Sequence, residues 1–142
     1  MGWFQTEGLP ALKQELKQKN VAAVIINMGV NDCAATYQGN GGTRAGDYSS
    51  AINRLIEEYP SVRFYFCSLG HCLKETYSGR LNIELLNREI DIFNEEMSRL
   101  CRASYIRGGE YLLERGFESG DGIHYSPDTS RALFSYILNQ IP

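Results

Sequence analysis

A nine-residue stretch, Val24–Asp32 (VIINMGVND), decides the fold of this chain. It opens with β-branched apolar residues, which is typical of a buried strand. It then breaks at Gly29 and continues with amide and carboxylate side chains at the carboxyl end of that strand. Ligands of open α/β sheets bind at this end of the strands. The stretch therefore predicts a central strand that leads into one side of a functional site.

The polar end of this stretch has two interpretations. Asn31 has a side-chain amide that could donate a hydrogen bond to a developing oxyanion. Alternatively, Asp32 caps the next turn and Gly29 only supplies a permissive backbone. The stretch by itself leaves both interpretations open.

A second polar stretch, Asp121–Pro127 (DGIHYSP), lies about ninety residues further on, just before the last predicted helix. An Asp three residues before a His can turn its carboxylate onto the imidazole and fix its tautomer. The alternative is an exposed loop histidine in front of a helix that Ser126 caps and Pro127 starts.

Taken together, the two stretches resemble the SGNH (GDSL) hydrolase family of serine esterases and lipases. In that family Gly-x-Asn-Asp is the third sequence block and Asp-x-x-His is the fifth, directly before the C-terminal helix. The resemblance implies a three-layer α/β/α sandwich around a parallel sheet, with a flavodoxin-like topology that typically has five strands. It also implies a serine ester hydrolase that acts on acyl or acetyl esters, including those of carbohydrates or lipids.

The resemblance assigns roles to particular residues. His124 would be the general base, and Asp121 would orient it. Asn31 and the backbone N–H of Gly2, which corresponds to the second-block glycine, would stabilise the oxyanion. Gly8 is a less well spaced candidate for the same position. The residues expected to bind the substrate are Gly29, Asp32 and Tyr125. No metal and no cofactor is expected.

The family's nucleophile block, Gly-Asp-Ser, occurs nowhere in the 142 residues. The most similar sequence is Gly46-Asp47-Tyr48-Ser49. It follows no predicted strand and comes after the Gly-x-Asn-Asp motif, whereas the family's nucleophile comes before that motif. We expect that the chain starts downstream of the first two strands and of the nucleophile, which would lie upstream. The alternative is a natural family member that has lost catalysis. Ser68 closes a strand near the site, but no nucleophile elbow surrounds it.

Composition sets the broad class of the protein. A chain of 142 residues with 43% hydrophobic and 22% charged residues is typical of one globular domain, here residues 1–142. A net charge of −3 gives no electrostatic footprint for nucleic acid. No apolar run approaches the roughly 20 residues of a membrane span, and no signal-peptide pattern is present. The compartment and the oligomeric state stay open.

The four cysteines do not decide the redox compartment, and disulfides stay open. Cys67 and Cys101 fall on predicted buried faces, where a free thiol behaves as a small hydrophobe. Cys67 and Cys72 with His71 lack a second ligand pair at zinc-like spacing, so a metal site is disfavoured.

The chain alternates between predicted strands and helices, which favours a parallel sheet with helices on both faces. The strands are predicted at Val21–Asn27, Val62–Cys67 and Ala103–Ile106, with the first two adjacent and parallel. The helices are predicted at Pro10–Lys19, from Asp47 or Ser49 to Tyr59, at Asn82–Arg102 and from Pro127 onward. Gly108–Arg115 is predicted as a short helix or a turn.

Four further expectations concern loops and the core. Gly2–Gly8 is predicted as a loop, and Thr36–Gly46 as a polar loop that overhangs the site. Leu100 is expected to end the core stripe of the long helix, and Phe134 is expected to face the core from the last helix.

A second functional hypothesis is a non-catalytic α/β domain that binds carbohydrate. In this hypothesis exposed aromatic side chains grip a sugar ring. The candidates are Trp3, Phe4, Tyr37, Tyr77 and Tyr125.

Overall fold

The computed structural model of the chain describes residues 2–35 and 41–142. Its centre is a three-stranded parallel sheet in the order β1 (Ala23–Ile26), β2 (Arg63–Cys67) and β3 (Ser104–Ile106). Ala23 pairs with Arg63 in the first ladder, and Tyr65 pairs with Ser104 in the second. The predicted parallel pairing of the first two strands is confirmed.

Helices cover both faces of the sheet, which gives the expected three-layer α/β/α sandwich. They are α1 (Leu9–Gln18), α2 (Val30–Ala35), α3 (Gly41–Glu58), α4 (Ile83–Leu100), α5 (Gly108–Arg115) and α6 (Pro127–Gln140). A π-helical turn, Phe4–Gly8, precedes α1, and a short 3₁₀ turn, Lys74–Thr76, precedes α4.

Alternation along the strands divides the apolar side chains between two cores. Phe64 and Phe66 of β2 point into the larger core, where they meet α1, α3 and α4. Tyr65 and Cys67, the residues between and after them, point into the smaller core beneath α5 and α6. Burial on both faces explains why β2 is an almost continuous apolar run.

Two predicted loops are helical instead. Within the predicted loop Gly2–Gly8, Phe4–Gly8 forms the π-helical turn that leads into α1. The Gly2 carbonyl accepts hydrogen bonds from the backbone N–H groups of Gln5 and Thr6 at 3.0 and 3.3 Å. The predicted loop Thr36–Gly46 is wrong from Gly41 onward, because α3 begins there rather than at Asp47 or Ser49. Residues 36–40 lie outside the described part of the chain.

The early start of α3 has a tertiary cause. The buried carboxylate of Glu89, on α4, accepts a hydrogen bond from the Gly41 N–H at 2.6 Å. A carboxylate at a helix N-terminus satisfies a backbone donor and interacts favourably with the helix dipole. Three glycines in this segment lower its intrinsic helix propensity, so the sequence alone favoured a loop.

Two of the expected core residues are exposed. Phe134 on α6 is 59% exposed and Leu100 at the end of α4 is 38% exposed. Phe134 follows the buried Leu133 by one position, which rotates it by about 100° away from the sheet. Leu100 lies in the last turn of its helix, beyond the reach of the sheet.

Two further properties bear on the class of protein. Within residues 2–35 and 41–142, no helix combines the length and the apolar character needed to span a membrane. All four cysteines are free thiols.

Candidate active site

The loop before α6 holds Asp121 and His124 in one hydrogen-bonded unit. Asp121 Oδ1 accepts from the backbone N–H groups of Ile123 and His124, both at 2.8 Å. Its other oxygen, Oδ2, lies 2.7 Å from His124 Nδ1. An aspartate that bonds backbone groups two and three residues ahead forms a tight turn. The predicted Asp121–His124 contact is therefore present, and it is formed locally.

The charge state of this pair follows from its contacts. The hydrogen bond from His124, followed by those from the two backbone N–H groups, holds the pKa of Asp121 well below its usual value of 3.8. An ionised carboxylate only accepts hydrogen bonds, so the neutral imidazole carries its proton on Nδ1. Nε2 is then the ring nitrogen that can take a proton from a nucleophile. The imidazole is 84% exposed, so it is open to a reactant.

One glycine and two side-chain hydrogen bonds determine the conformation of the rest of this loop. Gly122 has φ +85°, and a methyl group added there would collide with the Leu73 carbonyl and with Tyr77. The buried Ser119 donates to the His124 carbonyl at 2.6 Å. Tyr125 donates through its hydroxyl to the His71 carbonyl at 3.0 Å. These contacts fix the backbone while leaving the imidazole exposed.

The Gly-Val-Asn-Asp corner after β1 is the second part of the site. Gly29 has φ +140° and is buried, and an added methyl group there would overlap the Phe93 ring. The chain turns there into α2, whose first turn carries Asn31 with an exposed side chain. Asp32 is half-buried and its Oδ2 accepts from the Tyr48 hydroxyl at 2.6 Å.

Gly2 lies directly against this corner. A methyl group added at Gly2 would overlap the Asp32 carboxylate as it stands, so a larger residue there would have to displace that side chain. Its carbonyl starts the π-helical turn. Its own N–H therefore lies at a helix N-terminus, where backbone donors have no intrahelical acceptor. The structure thus brings Gly2 and Asp32 together, with Asn31 next to Asp32 in the chain.

One segment, residues 68–73, contacts both halves of the site. Asn27, which follows β1, donates through its side chain to the Cys67 and Ser68 carbonyls at 3.1 and 3.3 Å. On the other side, the Leu73 N–H donates to the Gly122 carbonyl at 2.7 Å. Both halves therefore adjoin the same segment at the carboxyl edge of the sheet. That Asn31 and His124 open onto one cleft stays a prediction.

The same segment is fixed to α4 by two asparagine side chains. Asn94 accepts from the Leu69 N–H and donates to the Leu69 carbonyl, both at 2.8 Å. Asn87 does the same for Cys72 at 2.8 and 3.0 Å. Each amide replaces the pairing that a neighbouring strand would provide.

Two serines that resemble nucleophile candidates are engaged elsewhere. Ser68 is 1% exposed, donates to Glu110 Oε2 at 2.5 Å and accepts from the Gly109 N–H at 2.8 Å. Ser49, in the Gly-Asp-Tyr-Ser imitation, is buried inside α3 and donates to the Met97 sulfur at 3.3 Å. Neither serine lies on an exposed turn after a strand, where a nucleophile would be presented.

The expected substrate-binding residues make contacts within the protein. Asp32 bonds Tyr48, Gly29 packs under Phe93, and Tyr125 bonds the His71 carbonyl while its ring lies 5.5 Å from that of Phe117. Binding of a substrate by Gly29, Asp32 and Tyr125 stays a prediction.

A cavity of about 400 Å³ lies beyond the carboxyl ends of β2 and β3, beside α4 and α5. His71, Asp91 and Arg107 are among its lining residues, and His71 Nε2 lies 2.6 Å from Asp91 Oδ1. Neither His124 nor Asn31 lines this cavity. It is therefore separate from the candidate active site.

The buried cysteines are not activated as nucleophiles. Burial raises the pKa of the Cys67 and Cys72 thiols from 9.0 to about 11, and that of Cys33 to about 12. Thiols of this kind stay protonated and weakly nucleophilic at neutral pH. In the part of the chain that the structure describes, no group of three or more His, Cys, Asp or Glu side chains is arranged to hold a metal ion.

The chain matches the family described as GDSL-like Lipase/Acylhydrolase over residues 3–137. Because this match spans nearly the whole chain, the protein belongs to that family of hydrolases. The matched range includes both the Gly-Val-Asn-Asp corner and the Asp121–His124 loop, while Gly2 lies just outside it. No curated protein and no solved structure matches the chain.

Sequence reasoning missed Tyr48, which holds Asp32. Tyr48 lies four residues before Ile52, so the helical spacing extended backward does predict its burial. That spacing carries no information about its hydrogen-bond partner. The asparagine pair on α4 was likewise missed, because its amides bond backbone groups of a distant loop.

Proposed function

We propose that the protein is a serine ester hydrolase of the SGNH type for acyl or acetyl esters, including acetylated carbohydrates. His124 takes the proton from the serine through Nε2 and then donates it to the leaving alcohol. Asp121 holds the imidazole and stabilises its charged form. Asn31 and the Gly2 N–H stabilise the oxyanion, a role worth a few kcal/mol per donor.

The observation that carries this proposal is the Asp121–His124 pair. Its 2.7 Å hydrogen bond engages Nδ1, so the exposed Nε2 is available to a nucleophile. The chain's other histidine, His71, also has a carboxylate partner, but its Nε2 is the atom engaged. Of the two pairs, only that of His124 combines the family's Asp-x-x-His spacing with an exposed imidazole.

We further propose that the nucleophilic serine lies upstream of this sequence, on a strand that pairs with β1. Within the described residues β1 is an edge strand, and its Ile25 is 37% exposed. The apolar residues Phe134 and Leu138 are also exposed on α6. They lie on the flank opposite Tyr136, which stacks on Tyr111 of α5 at 4.2 Å. We propose that the upstream segment which adds this strand also covers the exposed flank of α6.

Fluorophosphonate labelling of the natural full-length polypeptide tests the proposal. We expect rapid labelling on a serine outside these 142 residues and no labelling of the 142-residue chain alone. His124→Ala should lower the labelling rate by about 10²-fold or more, because general-base catalysis contributes roughly that much. His71→Ala is the matched control and should label normally. Labelling at Ser68, or labelling that is independent of His124, would contradict the proposal.

The carbohydrate-binding hypothesis has less support. Among its described aromatic candidates, Phe4 is 2% exposed, and Tyr77 and Tyr125 are partly buried and hydrogen-bonded within the protein. Trp3, at 59%, is the one exposed ring among the described candidates, while Tyr37 lies outside the described residues. A single exposed ring gives a sugar no second face to pack against.

A further inference from the structure

A buried tyrosine on α3 joins the two segments that carry the proposed oxyanion donors. Tyr48 is 3% exposed, and its ring stacks on that of Phe4 with centroids 4.6 Å apart and an interplanar angle of 15°. The edge contact with Phe93, at 5.3 Å and 84°, fixes the ring from α4. Its hydroxyl donates to Asp32 Oδ2 at 2.6 Å. One side chain therefore contacts both the N-terminal turn and α2.

The partners of Tyr48 are close neighbours of the two donors. Asp32 follows Asn31 in the chain and belongs to the same turn of α2. Phe4 lies two residues after Gly2, in the turn that the Gly2 carbonyl starts. The Asp32 carboxylate also lies against the Gly2 backbone. The Tyr48–Asp32 contact therefore joins the two segments that carry the donors.

We infer that Tyr48, acting through Asp32, is a positioning residue that sets the distance and orientation between the Gly2 N–H and the Asn31 side chain. This inference rests on the oxyanion role proposed above for those two groups. Oxyanion donors act only when they lie about 2.7–3.1 Å from the position of the developing charge. Misplacement by about 1 Å can cost on the order of 10²-fold in rate.

The chemistry of the pair suits this role. A hydrogen bond to an ionised acceptor is stronger and shorter than one between neutral groups. Burial, followed by the hydrogen bond to Asp32, raises the pKa of the Tyr48 phenol. The hydroxyl therefore remains a donor throughout the pH range in which an esterase works. Ionisation of the phenol therefore does not break the contact in that range.

The kinetic test uses Tyr48→Phe in the natural full-length polypeptide, since this change removes the hydroxyl and keeps the ring. We expect kcat to fall about 10-fold while KM changes less than about 3-fold. Asp32→Ala should have at least the same effect, and the double variant should lose no more than Asp32→Ala, because the two residues act as a unit. Asp32→Asn, which keeps an acceptor oxygen, should recover part of the loss.

The matched control is Tyr105→Phe. Tyr105 also donates from a partly buried hydroxyl to a carboxylate, Glu110 Oε1 at 3.0 Å, but it contacts neither Gly2 nor Asn31. The inference would be overturned if Tyr48→Phe lost no more kcat than Tyr105→Phe. In that case the loss would reflect only the removal of a tyrosine–carboxylate hydrogen bond, wherever it lies.

A second measurement does not depend on activity. In ¹⁵N-labelled 142-residue chain, Tyr48→Phe should shift the Gly2 backbone and Asn31 side-chain amide signals, whereas Tyr105→Phe should leave both in place. Unshifted signals would overturn the positioning role. If the full-length wild type neither labels nor turns over esters, the proposed function fails instead, and the amide signals still decide the role of Tyr48.

Discussion

Asp121 accepts three hydrogen bonds from within its own turn, and its ionisation therefore reports on the geometry of that turn. Two backbone N–H groups and the His124 ring converge on one carboxylate. Each contact favours the charged form, so the pKa falls. The stability that this contributes is present above the unfolded pKa of about 4 and is lost as the pH falls through the lower folded pKa. The contribution is small, because the side chain is 57% exposed and screened by solvent.

The first prediction follows because the hydrogen bond from His124 lowers the Asp121 pKa more than the backbone hydrogen bonds do. In the wild type, the side-chain ¹³C signal of Asp121 should titrate well below pH 3.8. His124→Ala removes the largest cause and should raise the titration midpoint, although the two backbone hydrogen bonds should keep it below 3.8. His71→Ala serves as the control and should leave the Asp121 midpoint unchanged, since His71 pairs with Asp91. Equal midpoints in the wild type and His124→Ala would contradict the assigned contact.

At the scale of the elements, side-chain amides fix the position of the segment between the two halves of the site. Asn94 satisfies both backbone groups of Leu69 from the polar side of α4. The segment then reaches the Asp121–His124 loop through Leu73 and Gly122. Helix α4 therefore holds the segment that adjoins both halves of the candidate site.

The second prediction concerns Asn94→Ala. This change leaves a half-buried N–H and C=O without their partner, which should lower the free energy of unfolding by about 1–3 kcal/mol. Hydrogen exchange of the Leu73 amide should accelerate by more than the loss in the global free energy of unfolding accounts for, because the segment 68–73 is released locally.

Asn53→Ala is the control for this prediction. Asn53 also bonds two backbone groups, the Arg102 N–H at 2.8 Å and the Leu100 carbonyl at 3.1 Å, at the far end of α4. It should lower stability without a local effect at Leu73. Equal acceleration in the two variants would mean that Asn94 has no special link to the site.

At the scale of the whole molecule, apolar side chains are exposed on one flank of α6 and on β1. Phe134 and Leu138 are 59% and 49% exposed, and Ile25 of β1, an edge strand among the described residues, is 37% exposed. Exposed apolar side chains and strand edges are typical of surfaces that another segment covers.

The third prediction tests this surface in the 142-residue chain with the double variant Phe134→Ser and Leu138→Ser. It should reduce the fluorescence of bound anilinonaphthalene sulfonate by about half or more. The free energy of unfolding should change by about 1 kcal/mol or less, because exposed side chains contribute little. Leu133→Ser, one position away in the core at 9% exposure, should instead cost about 2–5 kcal/mol. Unchanged dye binding in the double variant would show that this flank is not the apolar surface.

The sequence by itself determined the parts of this protein that local patterns encode. The β-branched run of β1 and the aromatic apolar run of β2 predicted these two strands, because a central parallel strand needs an almost continuous apolar segment. The i, i+3 spacing of Asp121 and His124 predicted their contact, because a turn of that length brings the two side chains together. Ser126 and Pro127 marked the start of α6 for the same reason, and the Ser126 side chain accepts from the Thr129 N–H at 3.2 Å.

The tertiary structure alone decided the contacts between distant segments. Tyr48 meets Asp32 across 16 positions, Ser68 meets Glu110 across 42, and Gly41 meets Glu89 across 48. No local periodicity encodes such a partner, because the pairing depends on which helix packs over which strand. The exposure of Phe134 was decided in the same way. A side chain's burial depends on whether a neighbouring element covers its face, and the amphipathic pattern of one helix does not contain that information.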